Sequence, residues 1–276
     1  MFGLAQAGLP GPDAVSLWDV RTGKLLRHLF TSEEPWTDLQ HAPPLDTVAY
    51  APDGASVATN ESERIHVLDP QTGETLATFE APAFVQWLSY SPDGRLLQAE
   101  MDGGLVAVWD LRTERMVWSR KVDDQTPLGG EFSADGRYLI LGSESGKIHL
   151  LDPRTGRPLR DPLLAHDAYL ASITVHPDSS MFASSGTDGL TFLWDTSTQR
   201  ALGSPFGVAG GGGVWSRFSP DGRVLYVSTA ERGFVFDTTL DTWIERACSI
   251  AGRTLTRTEW ERFLPQRPYR PACRTT

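Results

Sequence analysis

HDAYLASITVHPDSSMFASSGTDGLTFLWD, residues 166–195, is the stretch whose reading decides the fold. Its closing run TFLWD is short, ends on Asp195 and carries apolar side chains on both faces, the pattern of a strand covered on each side. Within HPDS (176–179), Pro177 presets φ and Asp178 caps the backbone locally, so the chain reverses between two apolar runs. The stretch reads as strand, tight turn, strand, turn, strand.

The same pattern recurs in both directions. Asp19, Asp69, Asp110, Asp152, Asp195 and Asp237 close the runs VSLWD, IHVLD, VAVWD, IHLLD, TFLWD and FVFD, at intervals of 50, 41, 42, 43 and 42 residues. The turns VRTGK, PQTGE, LRTER and PRTGR follow the first four, and TSTQR is a looser fifth copy. A second turn keeps the same period: APDG (51–54), SPDG (91–94), SADG (133–136), HPDS (176–179) and SPDG (219–222). Each unit is therefore expected to be a four-stranded antiparallel meander. Such a meander cannot cover both of its faces alone, and radial stacking of copies covers them. The fold class expected is all-β: a β-propeller of about six four-stranded blades, the first incomplete, with a short helical C-terminal tail. The blade units fall at about 1–30, 45–80, 87–121, 129–163, 171–202 and 214–240, making a propeller domain of 1–240 and a tail of 241–276 packed on it.

On these residues, unit 166–195 resembles the WD-repeat β-propeller family, and the resemblance extends over about residues 1–240. In that family a His, a Ser, a turn Asp and the strand Trp form a buried hydrogen-bonded network. The resemblance puts His166, Ser184, Asp188 and Trp194 at those positions, with Ser185 adjacent to the least certain of them. Such a network stiffens a blade and carries no chemistry. The stretch RACSIAGRTLTRTEWERFLPQRPYRPAC is similar to the tail that closes WD-repeat regions of large bacterial signalling proteins, where the propeller follows a STAND-class ATPase or similar effector domain.

The chain opens within a unit. FGLAQAG reads as a second strand, AVSLWDV as a third and GKLLRHLF as a fourth, and the last unit runs into helix where its fourth strand belongs. Two accounts stay open: upstream residues of a longer protein complete the ring, or six blades close imperfectly. In the tail, Thr242 with Glu245 and Thr256 with Glu259 read as capping boxes, Gly252 as a stop for the first helix and Pro265 for the second.

Charge is uneven. Of the formal −10, residues 1–244 carry −14 and residues 245–276 carry +4. An acidic body repels nucleic acid and anionic membrane, so neither is expected as a partner. The start MFGLAQAGLPGPD lacks the basic and apolar regions of a signal peptide, and no apolar run is long enough to span a bilayer. Cys248 and Cys273, the only cysteines, read as reduced thiols of a cytoplasmic protein, with a single tail disulfide as the minority alternative.

No residue set reads as catalytic or metal-binding, and no cofactor is expected. AGGGG (209–213) lacks the Lys and the helix of a phosphate loop. His66 and His149 share a repeat position, and no histidine pair has ligand spacing. The turn aspartates repeat with the turns, as caps do. The expected function is a non-enzymatic protein-interaction scaffold. A ligand-sensing autoinhibitory domain of a STAND-class ATPase is the alternative, and a propeller hydrolase the third reading. The long first interval lies in TSEEPWTDLQHAPP (31–44), on the rim where loops enter the blades. That rim, with Trp36, Phe84 and Tyr169, is expected to hold a protein or peptide partner.

Overall fold

The six closing aspartates do the same work in every unit. Asp19, Asp69 and Asp152 accept the amides two and three residues on, the shorter bonds being 2.8, 2.6 and 2.8 Å. Asp110 accepts the amide of Thr113 at 2.9 Å, Asp195 that of Thr198 at 2.6 Å and Asp237 that of Thr239 at 2.8 Å. A carboxylate that satisfies turn amides fixes where one strand stops and the next begins.

The computed structural model describes residues 2–5, 14–31, 47–125, 127–207, 214–263, 268, 269 and 273. Its strands form six antiparallel sheets, the blades of a propeller. Blade 1 holds Phe2–Ala5, Ala14–Asp19 and Lys24–Thr31. Blade 2 holds Val48–Tyr50, Val57–Glu61, Arg64–Leu68 and Thr75–Glu80. Blade 3 holds Val85–Tyr90, Leu96–Met101, Leu105–Asp110 and Arg115–Lys121.

Blades 4 and 5 depart from the expected four full strands, and blade 6 has the three that the sequence implied before the chain runs into helix. Blade 4 holds Pro127–Phe132, Leu139–Ser143 and Lys147–Leu151, and its fourth strand shrinks to Leu163–Leu164. Pro158 and Pro162 explain this, because proline has no amide to give a sheet ladder. Blade 5 holds Leu170–Val175, Met181–Gly186 and Leu190–Asp195. Its outer edge is split between Arg200–Ala201 and Phe206–Gly207, both paired to the third strand. Blade 6 holds Trp215–Phe218, Val224–Ser228 and Gly233–Asp237.

Apolar layers between successive blades make the core. Val15, Leu17 and Leu29 of blade 1 meet Val57 and Leu68 of blade 2. Ile140, Ile148 and Leu150 of blade 4 meet Leu170, Ile173, Phe182 and Trp194 of blade 5. Each fully buried side chain of this size contributes about 1.5–3 kcal/mol.

Hydrogen bonds along the inner wall add to this packing. The hydroxyl oxygen of the residue three before the strand-ending aromatic or valine accepts an amide N–H of the next blade: Thr47 from Leu88 at 3.3 Å and Ser172 from Ser216 at 2.9 Å. The side chain one before it also accepts: the Glu131 carboxylate from the Val175 amide at 3.0 Å and the Thr174 hydroxyl oxygen from the Phe218 amide at 3.4 Å. Between blades 3 and 4 the direction reverses, and the Trp87 indole donates to the Gly130 carbonyl at 3.1 Å. The sequence period is thus also a hydrogen-bonding register between blades.

After Asp237 the chain turns helical. Helix α1 (Leu240–Ala251) starts earlier than the Thr242–Glu245 pair implies, with Thr239 at its N-cap. The Thr239 hydroxyl bonds Asp237 at 2.6 Å, so the last closing aspartate organises the helix start and Thr242 lies inside the first turn. Gly252, at φ 68°, caps the other end. Helix α2 (Arg257–Phe263) opens on a reciprocal capping box: Thr256 donates its amide to Glu259 at 2.8 Å, and Glu259 donates its amide to the Thr256 hydroxyl at 3.3 Å. Helix α1 buries none of its residues. The two cysteines, expected as thiols, are instead joined as Cys248–Cys273, with Cα atoms 5.4 Å apart. The return of the chain along α2 sets that approach: the Tyr269 hydroxyl donates to Leu255 O at 3.1 Å and its ring meets Trp260 edge-on at 5.7 Å.

Candidate functional site

In blades 2 to 6 the first strand runs from one end of the channel to the other, so loops entering these blades and turns joining their second and third strands share one end. Phe84 and Tyr169 stand there, Phe84 half-buried and Tyr169 58% exposed. The Phe84 carbonyl accepts the Asp102 amide at 3.0 Å and the Tyr169 carbonyl the Thr187 amide at 2.8 Å, so each entry loop is tied to a turn of its own blade. Trp36 and the glycine run 209–213 lie outside the described residues.

A cleft of about 460 Å³ opens at this end of the channel, among Trp87, Ala171, Ile173, Trp215 and Tyr226. Its aromatic walls are accessible: Trp87 is 37%, Trp215 57% and Tyr226 50% exposed. The bond from Trp87 to Gly130 fixes one indole, so that wall is already formed. Tyr226 and Trp215 lie on one face of blade 6, where burial alternates along Val224–Ser228 and Gly233–Asp237. Leu225 and Val227 turn inward to blade 5, while Tyr226 and its cross-strand partner Val235 face outward.

Glu131 and Arg217 sit just below, pairing across the channel from blade 4 to blade 6. The Glu131 side chain is only 17% exposed. Burial raises its carboxyl above the usual range, against the opposing pull of the Arg217 guanidinium and the Val175 amide. Deeper still, Tyr50 lines the channel, its hydroxyl without a hydrogen-bond partner among the described residues.

Sequence reasoning missed this cluster, though a signal existed. Trp87 and Trp215 occupy the repeat position held by Thr47, Gly129 and Ser172 in the other blades. Glu131 and Arg217 occupy the one held by Ala49, Ser89 and Thr174. Two large aromatics where other copies are small, and opposite charges two blades apart, are departures from a repeat that its core does not require.

His166, Ser184, Asp188 and Trp194 form one chain of hydrogen bonds. The Trp194 indole donates to Ser184 Oγ at 3.0 Å, Ser184 Oγ meets His166 Nε2 at 2.9 Å, and His166 Nδ1 meets both Asp188 oxygens at 3.0 Å. Ser185 points elsewhere, to Thr191 and Ser216 at 2.9 Å each. An Asp–His–Ser order matches a hydrolytic triad, but here Ser184 is 0% exposed and already accepts an indole proton. A nucleophile needs access to substrate.

Blade 4 builds its equivalent differently. Asp123 takes the place of His166 and accepts from Ser145 at 3.1 Å and Ser143 at 3.2 Å, with His149 Nε2 at 2.8 Å. Burial pushes the Asp123 carboxyl up, but bonds from the Gln125 amide, His149 and Ser145 together carry it down to about 2. Both serines address the aspartate, so this too lacks the order of a nucleophile and its base. No group of three or more His, Cys, Asp or Glu side chains among the described residues could hold a metal ion.

Known proteins resemble this chain in sequence. The WD repeat-containing protein SL1-17 of Schistosoma mansoni is 31% identical over 149 residues, 52% of this chain and 45% of that protein. The meiotic recombination protein rec14 of Schizosaccharomyces pombe is 25% identical over 142 residues, 50% of this chain and 47% of that protein. Subunit I of eukaryotic translation initiation factor 3 from Saccharomyces cerevisiae is 24% identical over 158 residues, again 50% of this chain and 45% of that protein. The chain thus spans about half the length of these curated relatives. They support a WD-like propeller. A family model described as "Outer membrane protein assembly factor BamB" matches residues 13–237, from blade 1 to the last closing aspartate, and the chain belongs to that family.

Proposed function

We propose that the chain is a non-enzymatic interaction scaffold, and that the channel mouth and its rim hold a protein or peptide partner. The observation that carries this is the cleft walled by Trp87, Trp215 and Tyr226. Trp and Tyr pack large area at low entropic cost and dominate the binding energy of protein interfaces. The printed names of the relatives, a recombination protein and an initiation-factor subunit among them, and the family description of an assembly factor support an assembly role over a catalytic one. Phe84, Tyr169 and Trp36 extend the same reading to the rim.

The finer reading is the C-terminal WD-repeat region of a larger bacterial signalling protein, or the ligand-sensing domain of a STAND-class ATPase; its support is the tail sequence RACSIAGRTLTRTEWERFLPQRPYRPAC. No helix among the described residues is long and apolar enough to cross a membrane. A cytoplasmic location meets one opposing observation, the Cys248–Cys273 disulfide, since such bonds persist in oxidising compartments.

Affinity capture from the source organism with the wild-type chain and with Trp215→Ala tests the proposal. Partners retained by the first and lost by the second are expected. Identical partner sets for both, with Tyr226→Ala behaving alike, would remove the mouth as the site.

A further inference from the structure

The two ends of the channel differ in charge. At the mouth, the second-to-third-strand turns and the entry loops carry Glu63, Asp102, Asp124, Asp167 and Glu231, all exposed, with Glu144 half-buried. Arg232 is the one Lys or Arg in those connections among the described residues. At the opposite end, Arg95, Arg137, Arg154 and Arg223 are interleaved with the turn aspartates. That end is close to balanced, and the mouth is an anionic ring around an aromatic cleft.

We propose that the mouth selects a basic peptide segment: one Lys or Arg side chain enters the cleft against Trp87, Trp215 and Tyr226, and flanking cations meet the acidic ring. The inference rests on the mouth being the partner site, and adds the chemistry of what it takes. Three observations converge on it. The cleft presents aromatic faces, which attract a cation lying over them. Arg217, the cation lining the cleft, is neutralised by its pair with Glu131, so it does not oppose a guest charge. Lys121 pairs with Asp124 at 3.1 Å and Arg232 adjoins Glu231, yet acids still outnumber bases around the opening, and such an excess concentrates a ligand of opposite charge. An acidic peptide would meet repulsion from nearly every connection at this end, and an uncharged one would leave the ring without a role.

The test is selection from a display library of random short peptides against the full 276-residue chain, at low and at physiological salt. Enrichment of Lys and Arg is expected. Resynthesised winners should bind roughly tenfold more weakly to Trp215→Ala, to Tyr226→Ala and to Asp167→Lys/Glu231→Lys. Glu74→Lys, a reversal at the opposite end, should leave their binding unchanged, and salt should weaken it. Enrichment that depends on Trp215 without any basic bias overturns the proposed chemistry and leaves the mouth as a partner site. Basic winners indifferent to both aromatic variants show attraction to an acidic body only, and overturn the proposal. Absence of any enrichment overturns both readings.

Discussion

The Glu100 carboxylate accepts the Gly130 amide at 2.7 Å, so an acid of blade 3 is spent on the main chain of blade 4. Glu100 is 0% exposed, and its second oxygen has no partner among the described residues. Burial raises its pKa to about 8, against the opposing bonds from Gly130 and Gln98. A carboxyl raised in the folded state contributes stability that is complete below its unfolded value, near 4.5, and is lost as pH rises through about 8. Urea denaturation should therefore show the chain losing a few kcal/mol across that window. Glu100→Gln should flatten the limb, and an unchanged pH profile would refute the assignment.

The space for Glu100 depends on a missing side chain. A Cβ on Gly130 would lie 2.3 Å from Glu100 Oε1 and 2.4 Å from Leu141 Cδ2. Gly130→Ala is expected to cost about 1–3 kcal/mol by overpacking, read as a lower urea midpoint at unchanged slope.

Two turn copies keep the left-handed backbone without the residue suited to it. Gly23, Gly73 and Gly156 have φ of 65°, 81° and 66° in their turns. Glu114 and Gln199 hold the same place, each at φ 55°. Glu114→Gly and Gln199→Gly should each stabilise the chain by about 1 kcal/mol, against the usual cost of glycine. Thermal denaturation of the single and double variants checks this, and additive gains are expected for sites this far apart.

The His166–Ser184–Trp194 chain stakes buried polar groups on one hydroxyl. Ser184→Ala leaves the Trp194 indole N–H and His166 Nε2 without their shared partner, at a cost of about 2–3 kcal/mol. Adding Trp194→Phe should recover part of that loss, because the orphaned donor is gone. Strict additivity in this double-mutant cycle would show that the bond does not form.

The disulfide should act on the tail alone. Alkylation of the unfolded chain without reductant is expected to find no free thiol. Cys248→Ser should open the C-terminal segment to proteolysis and leave propeller unfolding unchanged, since α1 buries no residue.

What the sequence revealed follows from where it repeats. Closing aspartates, PDG turns and doubly apolar strands recur because each blade faces the same neighbours, so Asp19 and Asp195 announce the same turn 176 residues apart. The blade network was legible at His166 because a whole unit keeps the pattern. In blade 4 it was not, because Asp123 with His149 solves the same problem with other residues. The mouth residues were hidden for the opposite reason. Trp87 and Trp215 sit within strand runs, and it is the structure that shows the channel leaving them exposed. Cys248 and Cys273 met only through a chain reversal that pairwise spacing does not encode.

Among the described residues, blade 6 packs Leu225 and Val227 inward and leaves Tyr226 and Val235 exposed, so one of its faces is covered. In a stack where each unit leans on its neighbours, the unit with one supporting face opens first. Amides of Val224–Ser228 should exchange with deuterium ahead of those of Leu96–Met101, which lie between two covered faces. Opening would then begin at blade 6 and pass next to blade 5, the neighbour it leans on.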